Sequence, residues 1–65
     1  MNTRYDTYDS KGRWMGGYDD RLTIFGHTAQ SMAHDKARSM EGKVMKVTTD
    51  DNGLEFEEEE KDYSQ

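Results

Sequence analysis

Two tetrapeptides of the same build, Asp9-Ser10-Lys11-Gly12 and Asp50-Asp51-Asn52-Gly53, most constrain what this chain can become. In each, an Asp opens a turn, where its carboxylate can accept from backbone N–H groups just ahead of it. A Gly closes the turn in the left-handed region, at little steric cost. Asn-Gly at the end of the second is itself a strong hairpin signal. A chain that reverses this tightly near both ends is committed to paired antiparallel strands.

The segments around the turns supply those strands. Arg4 to Asp9, RYDTYD, alternates aromatic with small polar residues, and Arg13 to Tyr18, RWMGGY, returns alongside it. A bulge at the turn's glycine sets Tyr8 across from Trp14 and Arg4 near Tyr18 on one face, while Gly16-Gly17 weakens the strand or marks a bulge or a close backbone approach. Tyr5, Thr7 and Met15 then share the other. Asp19-Asp20 turns the chain again, and Arg21 to Phe25, RLTIF, reads as a third strand ended by Gly26. Lys43 to Thr49, KVMKVTT, reads as a fourth. Leu54 to Glu57 is expected to be the fifth, with Leu54 and Phe56 toward the core and Glu55 and Glu57 toward water.

Between the third and fourth strands the period becomes helical. Thr28 suits an N-cap, because its hydroxyl can accept from a backbone N–H of the first turn. Ala29, Met32, Ala33, Ala37 and Met40 fall along one face, with Gln30, His34, Asp35, Lys36, Arg38 and Ser39 on the other. Gly42 stands where a left-handed C-terminal cap belongs. The order β-β-β-α-β-β predicts an α+β fold, a small antiparallel sheet with one helix packed on one face. The compact domain is expected over residues 1–57. Residues 58–65 are expected to form a disordered acidic tail, because adjacent Glu side chains repel one another along a growing sheet.

Sixty-five residues allow one thin core and little room for a deep pocket. The chain has no cysteine, so it holds no disulfide, thiol nucleophile or cysteine-based zinc site. Small secreted domains usually need such staples, which favours a reducing compartment and a cytoplasmic protein. No apolar run approaches the roughly 20 residues of a membrane span, and MNTRYDTYDS lacks the apolar stretch of a signal peptide. No membrane partner is expected.

The net charge of −5 sits at one end. Residues 1–54 carry eight basic and eight acidic side chains. Beyond them, Glu55, Glu57, Glu58, Glu59, Glu60 and Asp62 face only Lys61. Nucleic-acid binding usually shows the opposite excess, so nucleic acid is not the expected partner.

The vocabulary of catalysis is nearly absent. Ser31 precedes His34 by three residues on the predicted helix, without a nucleophile elbow around it. Gly16-Gly17 belongs to no phosphate-binding loop. The two histidines, His27 and His34, make a poor metal site by themselves. Residues 48–59 place Asp50, Asn52 and Glu59 at EF-hand spacing, but between predicted strands rather than helices, and a hairpin turn accounts for them. No enzyme, cofactor or metal is expected.

The stretch GRWMGGYDDRLTIFGHTAQSMAHDKA, three strands followed by a helix, resembles AP2-type and integrase arm-binding DNA domains. Gly12, Trp14, Phe25, Thr28-Ala29 and the alanine-spaced helix carry that likeness. It implies a three-stranded sheet that reads the major groove, with Arg13 and Arg21 as the contacts that matter. The basic sheet residues of those domains are here offset by Asp6, Asp19 and Asp20.

The expected function is therefore a protein-binding module. Tyr5, Tyr8, Trp14 and Tyr18 crowd into fourteen residues, and a helix covers only one face of a sheet, so some of these rings are left for a partner. The arm formed by Glu55, Glu57, Glu58, Glu59 and Glu60 suits a basic surface that normally receives phosphates. In size and composition the chain resembles the small host-takeover proteins of bacteriophages, including anti-CRISPR and anti-restriction inhibitors. The alternatives are the DNA-binding domain above and a homo-oligomeric structural protein, as a homodimer pairing edge strands.

Overall fold

The computed structural model describes residues 1–61. Strand β1 (Asn2–Tyr8) runs antiparallel to β2 (Trp14–Asp19) on one side and to β5 (Lys43–Thr49) on the other, and β6 (Glu55–Glu60) pairs with β5. The sheet order is β2-β1-β5-β6. One helix, α1 (Ala29–Ser39), packs on one face, which establishes the α+β architecture.

The two hairpins close with the same chemistry. In the first, the Asp9 carbonyl accepts from the Gly12 N–H and Asp9 Oδ1 accepts from the N–H groups of Lys11 and Arg13. In the second, the Asp50 carbonyl accepts from the Gly53 N–H and Asp50 Oδ1 from Asn52 and Leu54. Gly12 and Gly53 both sit at positive φ, 82° and 85°. That backbone strongly favours glycine.

Thr28 caps the helix by accepting from the Ser31 N–H. Ala29, Ala33 and Ala37 form its buried stripe, and they meet Tyr5 and Val44 of the sheet, with Tyr18 packed against the cluster. Three alanines at helical spacing let the backbone approach closely, so a few small side chains close this core. Thr7 is fully buried beneath the helix and donates its hydroxyl proton to the Gly16 carbonyl.

Six expectations change. Arg21 to Phe25 does not join the sheet as a third strand. The Asp19 carboxylate and carbonyl take the N–H groups of Arg21 and Leu22 and fold them into a turn. What remains is a two-residue ladder, β3 (Thr23–Ile24) with β4 (His27–Thr28), across a Phe25-Gly26 turn. The three-stranded sheet implied by the DNA-domain resemblance is thus not built, because the second neighbour of β1 is β5. Tyr18 lies across from Tyr5 on the helix side, while Tyr8 does stand opposite Trp14.

At the end of the helix the left-handed residue is Glu41, at φ 54°, rather than Gly42. Gly42 is needed for closeness instead, since a Cβ there would lie 1.7 Å from the Tyr8 carbonyl oxygen. Leu54 and Phe56 are exposed rather than core, because the helix does not reach over that end of the sheet. Finally, β6 runs to Glu60, past the boundary expected near Glu58. Residues 62–65 of the expected tail lie outside the described residues.

Candidate functional site

The face away from the helix is built from alternate residues of each strand. Cross-strand partners share a face, so Arg4, Asp6 and Tyr8 of β1 align with Asp19 and Trp14 of β2 and with Lys43, Met45 and Val47 of β5. Glu55, Glu57 and Glu59 complete the row on β6. No helix lies on this face, yet Val47 is only 1% exposed and Asp6 only 5%.

Asp6 is satisfied by Arg4, whose Nε lies 3.2 Å from both carboxylate oxygens. The same guanidinium reaches Glu55 Oε2 at 3.0 Å through Nη1. These two hydrogen bonds, the one to Glu55 foremost, hold the Arg4 guanidinium above its ordinary range. Arg4 therefore ties β6 back to β1 across the intervening strand.

The four aromatic residues separate into two roles. Tyr5 is buried in the core, and Tyr18 is half-buried against it, with Lys36 Nζ 6.0 Å from its ring centre. Neither is free to meet a partner. Trp14 is 61% exposed on the open face, and Tyr8 beside it is half-buried with Lys43 Nζ 5.8 Å from its ring centre. Of the aromatic site, then, only Trp14 and the edge of Tyr8 remain presentable.

The carboxylates of β6 also divide. Glu55 is engaged by Arg4. Glu60 turns to the helix side, where its Oε1 lies 2.7 Å from His34 Nε2 and accepts from Gln30 Nε2 at 2.8 Å. His34, placed on the solvent side of the helix by its sequence neighbours, is in fact 4% exposed. Its i−4 neighbour Gln30 offered the one sequence hint, since the two share a side of the helix. Together they pin the end of the acidic strand to α1.

Between these two anchors stand Glu57, Glu58 and Glu59, all exposed and without an ion pair among the described residues. Glu57 and Glu59 project from the open face and Glu58 from the helix side. Antiparallel pairing alternates the backbone as well. Asp50 N donates to the Leu54 carbonyl, so residues 56, 58 and 60 turn their backbone groups to β5. Glu57 and Glu59 turn theirs to the open edge.

The basic residues give no comparable surface. Arg13 Nε is 2.9 Å from Asp9, Arg21 Nε is 3.0 Å from Asp19, and Arg38 Nη1 is 3.2 Å from Asp35. The Arg21 guanidinium holds the Asp19 carboxyl down to about 2, and bonds from the Arg13 backbone and side chain lower Asp9 as well. Among the described residues no group of three or more His, Asp and Glu is arranged to hold a metal ion. A cleft of about 470 Å³ beside the end of β6 has Ala37 and Val44 in its wall and Arg38, Lys43, Lys61, Glu59 and Glu60 around it, charges of both signs. No helix among the described residues is long and apolar enough to cross a membrane.

No family model, curated protein or solved structure matches this chain.

Proposed function

We propose that this chain is a non-enzymatic binding module acting in the cytoplasm. It occupies a basic groove on a nucleic-acid-handling protein, in the manner of the phage inhibitors its size and composition resemble. The observation that carries the reading is the row Glu57-Glu58-Glu59 on an edge strand held at both ends by Arg4–Glu55 and His34–Glu60. An extended strand advances about 3.3 Å per residue, so the row carries one charge per step. A strand of DNA carries one phosphate per roughly 3.4 Å of helix axis. Counted along the edge, β6 carries charge at about the spacing of phosphates on one DNA strand, with Glu58 on the face opposite Glu57 and Glu59.

Pinning matters as much as charge. A carboxylate row on a mobile tail loses conformational entropy on binding, whereas a paired strand has lost it already. Charge presented this way attracts a basic surface at a distance and raises the rate of encounter. Trp14, on the same open face, adds an aromatic contact of the kind that dominates protein interfaces.

The test is capture from a bacterial lysate at low and high salt, with the native chain and a variant carrying Glu57→Gln, Glu58→Gln and Glu59→Gln. The variant leaves Glu55 and Glu60 in place, so β6 keeps both its anchors. The native chain is expected to retain a nucleic-acid-handling protein and release it at high salt, and the variant to bind it at least about tenfold more weakly. Equal retention by both chains would sink the proposal.

A further inference from the structure

Among the described residues, five of the eight large apolar side chains left in water belong to segments that meet one end of the sheet, whereas Trp14 and Met15 lie at the other. Asn2 pairs with Thr49, Thr49 with Glu55, and the Asp20 N–H donates to the Thr3 carbonyl at 2.8 Å. The β5–β6 turn and the exit from β2 therefore lie at the same end of the sheet. Leu54 and Phe56 sit beside that turn, at 59% and 60% exposure. Leu22, Ile24 and Phe25 belong to the segment that leaves from the same end.

Phe25 stands out among them. It is 98% exposed, and it occupies the first position of a two-residue turn at φ 51°, followed by Gly26 at φ 81°. That position favours Asn, Asp or Gly, and a bulky residue there is a backbone outlier. The fold gains no burial from this ring. Strained residues that do nothing for the core are found at ligand clamps and binding elements.

The charge around this end decides what can cover it. Asp19, Asp20, Asp50, Asp51 and Glu55 stand against Arg4, Arg21 and the N-terminal ammonium, which lies 3.0 Å from Asp51 Oδ1, so carboxylates remain in excess. A second copy of the chain would bring the same excess of carboxylates, and an anionic lipid surface would be repelled as well. We propose that this end of the molecule docks onto a protein offering an apolar pocket rimmed by Lys and Arg, with Phe25 as the ring that enters it. The surface is separate from the Glu57–Glu59 row and does not depend on that row's role.

A helical amphipathic peptide of leucine and lysine, with one apolar stripe flanked by cations, reproduces that chemistry and serves as the probe. It is titrated into the full chain and followed by amide NMR. Shift changes are expected at Leu22 to Gly26 and at Leu54 to Phe56, and they should persist in the triple Glu57, Glu58, Glu59→Gln variant. Phe25→Asn suits the left-handed backbone and keeps the turn, so its melting temperature should not fall. Its affinity for the peptide should nevertheless drop about tenfold or more. Equal affinity for Phe25→Asn overturns the proposal, as do shifts confined to Glu57 to Glu60. Binding to phosphatidylcholine or phosphatidylglycerol vesicles that Phe25→Asn abolishes would assign the surface to membranes instead. A concentration-dependent doubling of mass that Phe25→Asn abolishes would assign it to a second copy.

Discussion

The β1–β2 and β5–β6 hairpins close with the same turn, down to the carboxylate that accepts two backbone N–H groups, and differ in what lies along their strands. In the first, Tyr5 and Tyr18 face each other under the helix, and Thr7 and Asp6 are buried on opposite faces. In the second, β5 gives Val44 and Val47 to the interior while β6 gives only Glu60, half-buried and bonded to His34. Turn chemistry fixes where the chain reverses and in what register. It does not decide which strand is covered; the helix and the apolar pattern do that. The second hairpin thus offers a strand that is ordered yet exposed, and its carboxylates discourage a like edge from pairing with it.

The largest expected difference lies at two glycines. Gly42 touches the carbonyl of Tyr8, where the first hairpin meets the end of the helix, and Ala would place Cβ 1.7 Å from that oxygen. The contact is with backbone on both sides, so neither can yield without moving an element. Gly42→Ala should cost about 3 kcal/mol, a large part of the roughly 3–5 kcal/mol available to a chain this short. At Gly53 an added Cβ meets nothing within 4 Å, and only the φ of 85° resists it. Gly53→Ala should cost about 1 kcal/mol. Urea titrations followed by circular dichroism would measure both; equal costs would mean that the hairpins are anchored alike.

A smaller contrast tests whether the open face acts as a second core. Val47, on β5 and away from the helix, is 1% exposed, whereas Phe56 next door on β6 is 60% exposed. Val47→Ala should cost about 2 kcal/mol. Phe56→Ala, although it removes more atoms, should change stability by less than about 0.5 kcal/mol. The same urea titrations apply. A neutral Val47→Ala would show that the side chains around it collapse into the space, leaving the face loosely packed.

Much of this was legible in the sequence where a single local rule acts. The two Asp-x-x-Gly turns, the pairing of Tyr8 with Trp14, the Thr28 cap, the alanine stripe and the span of β5 follow from turn chemistry, capping and periodicity. What was not legible depends on distant partners. Arg21 to Phe25 has strand composition, but Asp19 claims its first N–H groups and leaves too little to pair. Glu58, Glu59 and Glu60 look like the start of a solvated tail until His34 and Gln30, 26 and 30 residues before the last of them, are seen to hold it. Of the expected binding residues, Tyr5 and Tyr18 went to the core, and Trp14, Glu57, Glu58 and Glu59 remained on the surface. Phe25 gave no sign beyond a bulky side chain before a glycine.

The smallest effect separates the hairpins by pH. Asp19, at the exit of β2, is held down to about 2 by Arg21, first through the side chain and then through its backbone N–H. Asp9 is lowered too, chiefly by the Arg13 backbone N–H. An unfolded Asp titrates near 3.9. Both carboxylates therefore bind protons less readily in the folded chain than in the unfolded one. Their contribution is complete above about pH 4 and is lost as pH falls toward 2. Melting temperatures recorded from pH 6 to pH 2 should fall through that window, and Asp9→Asn with Asp19→Asn should flatten the fall by a few degrees, roughly. Both sites are exposed, so added salt should shrink the effect. If the double variant keeps the full slope, acid sensitivity belongs to groups outside the first hairpin, and the Asp9 and Asp19 bonds shape the turns without stabilising them.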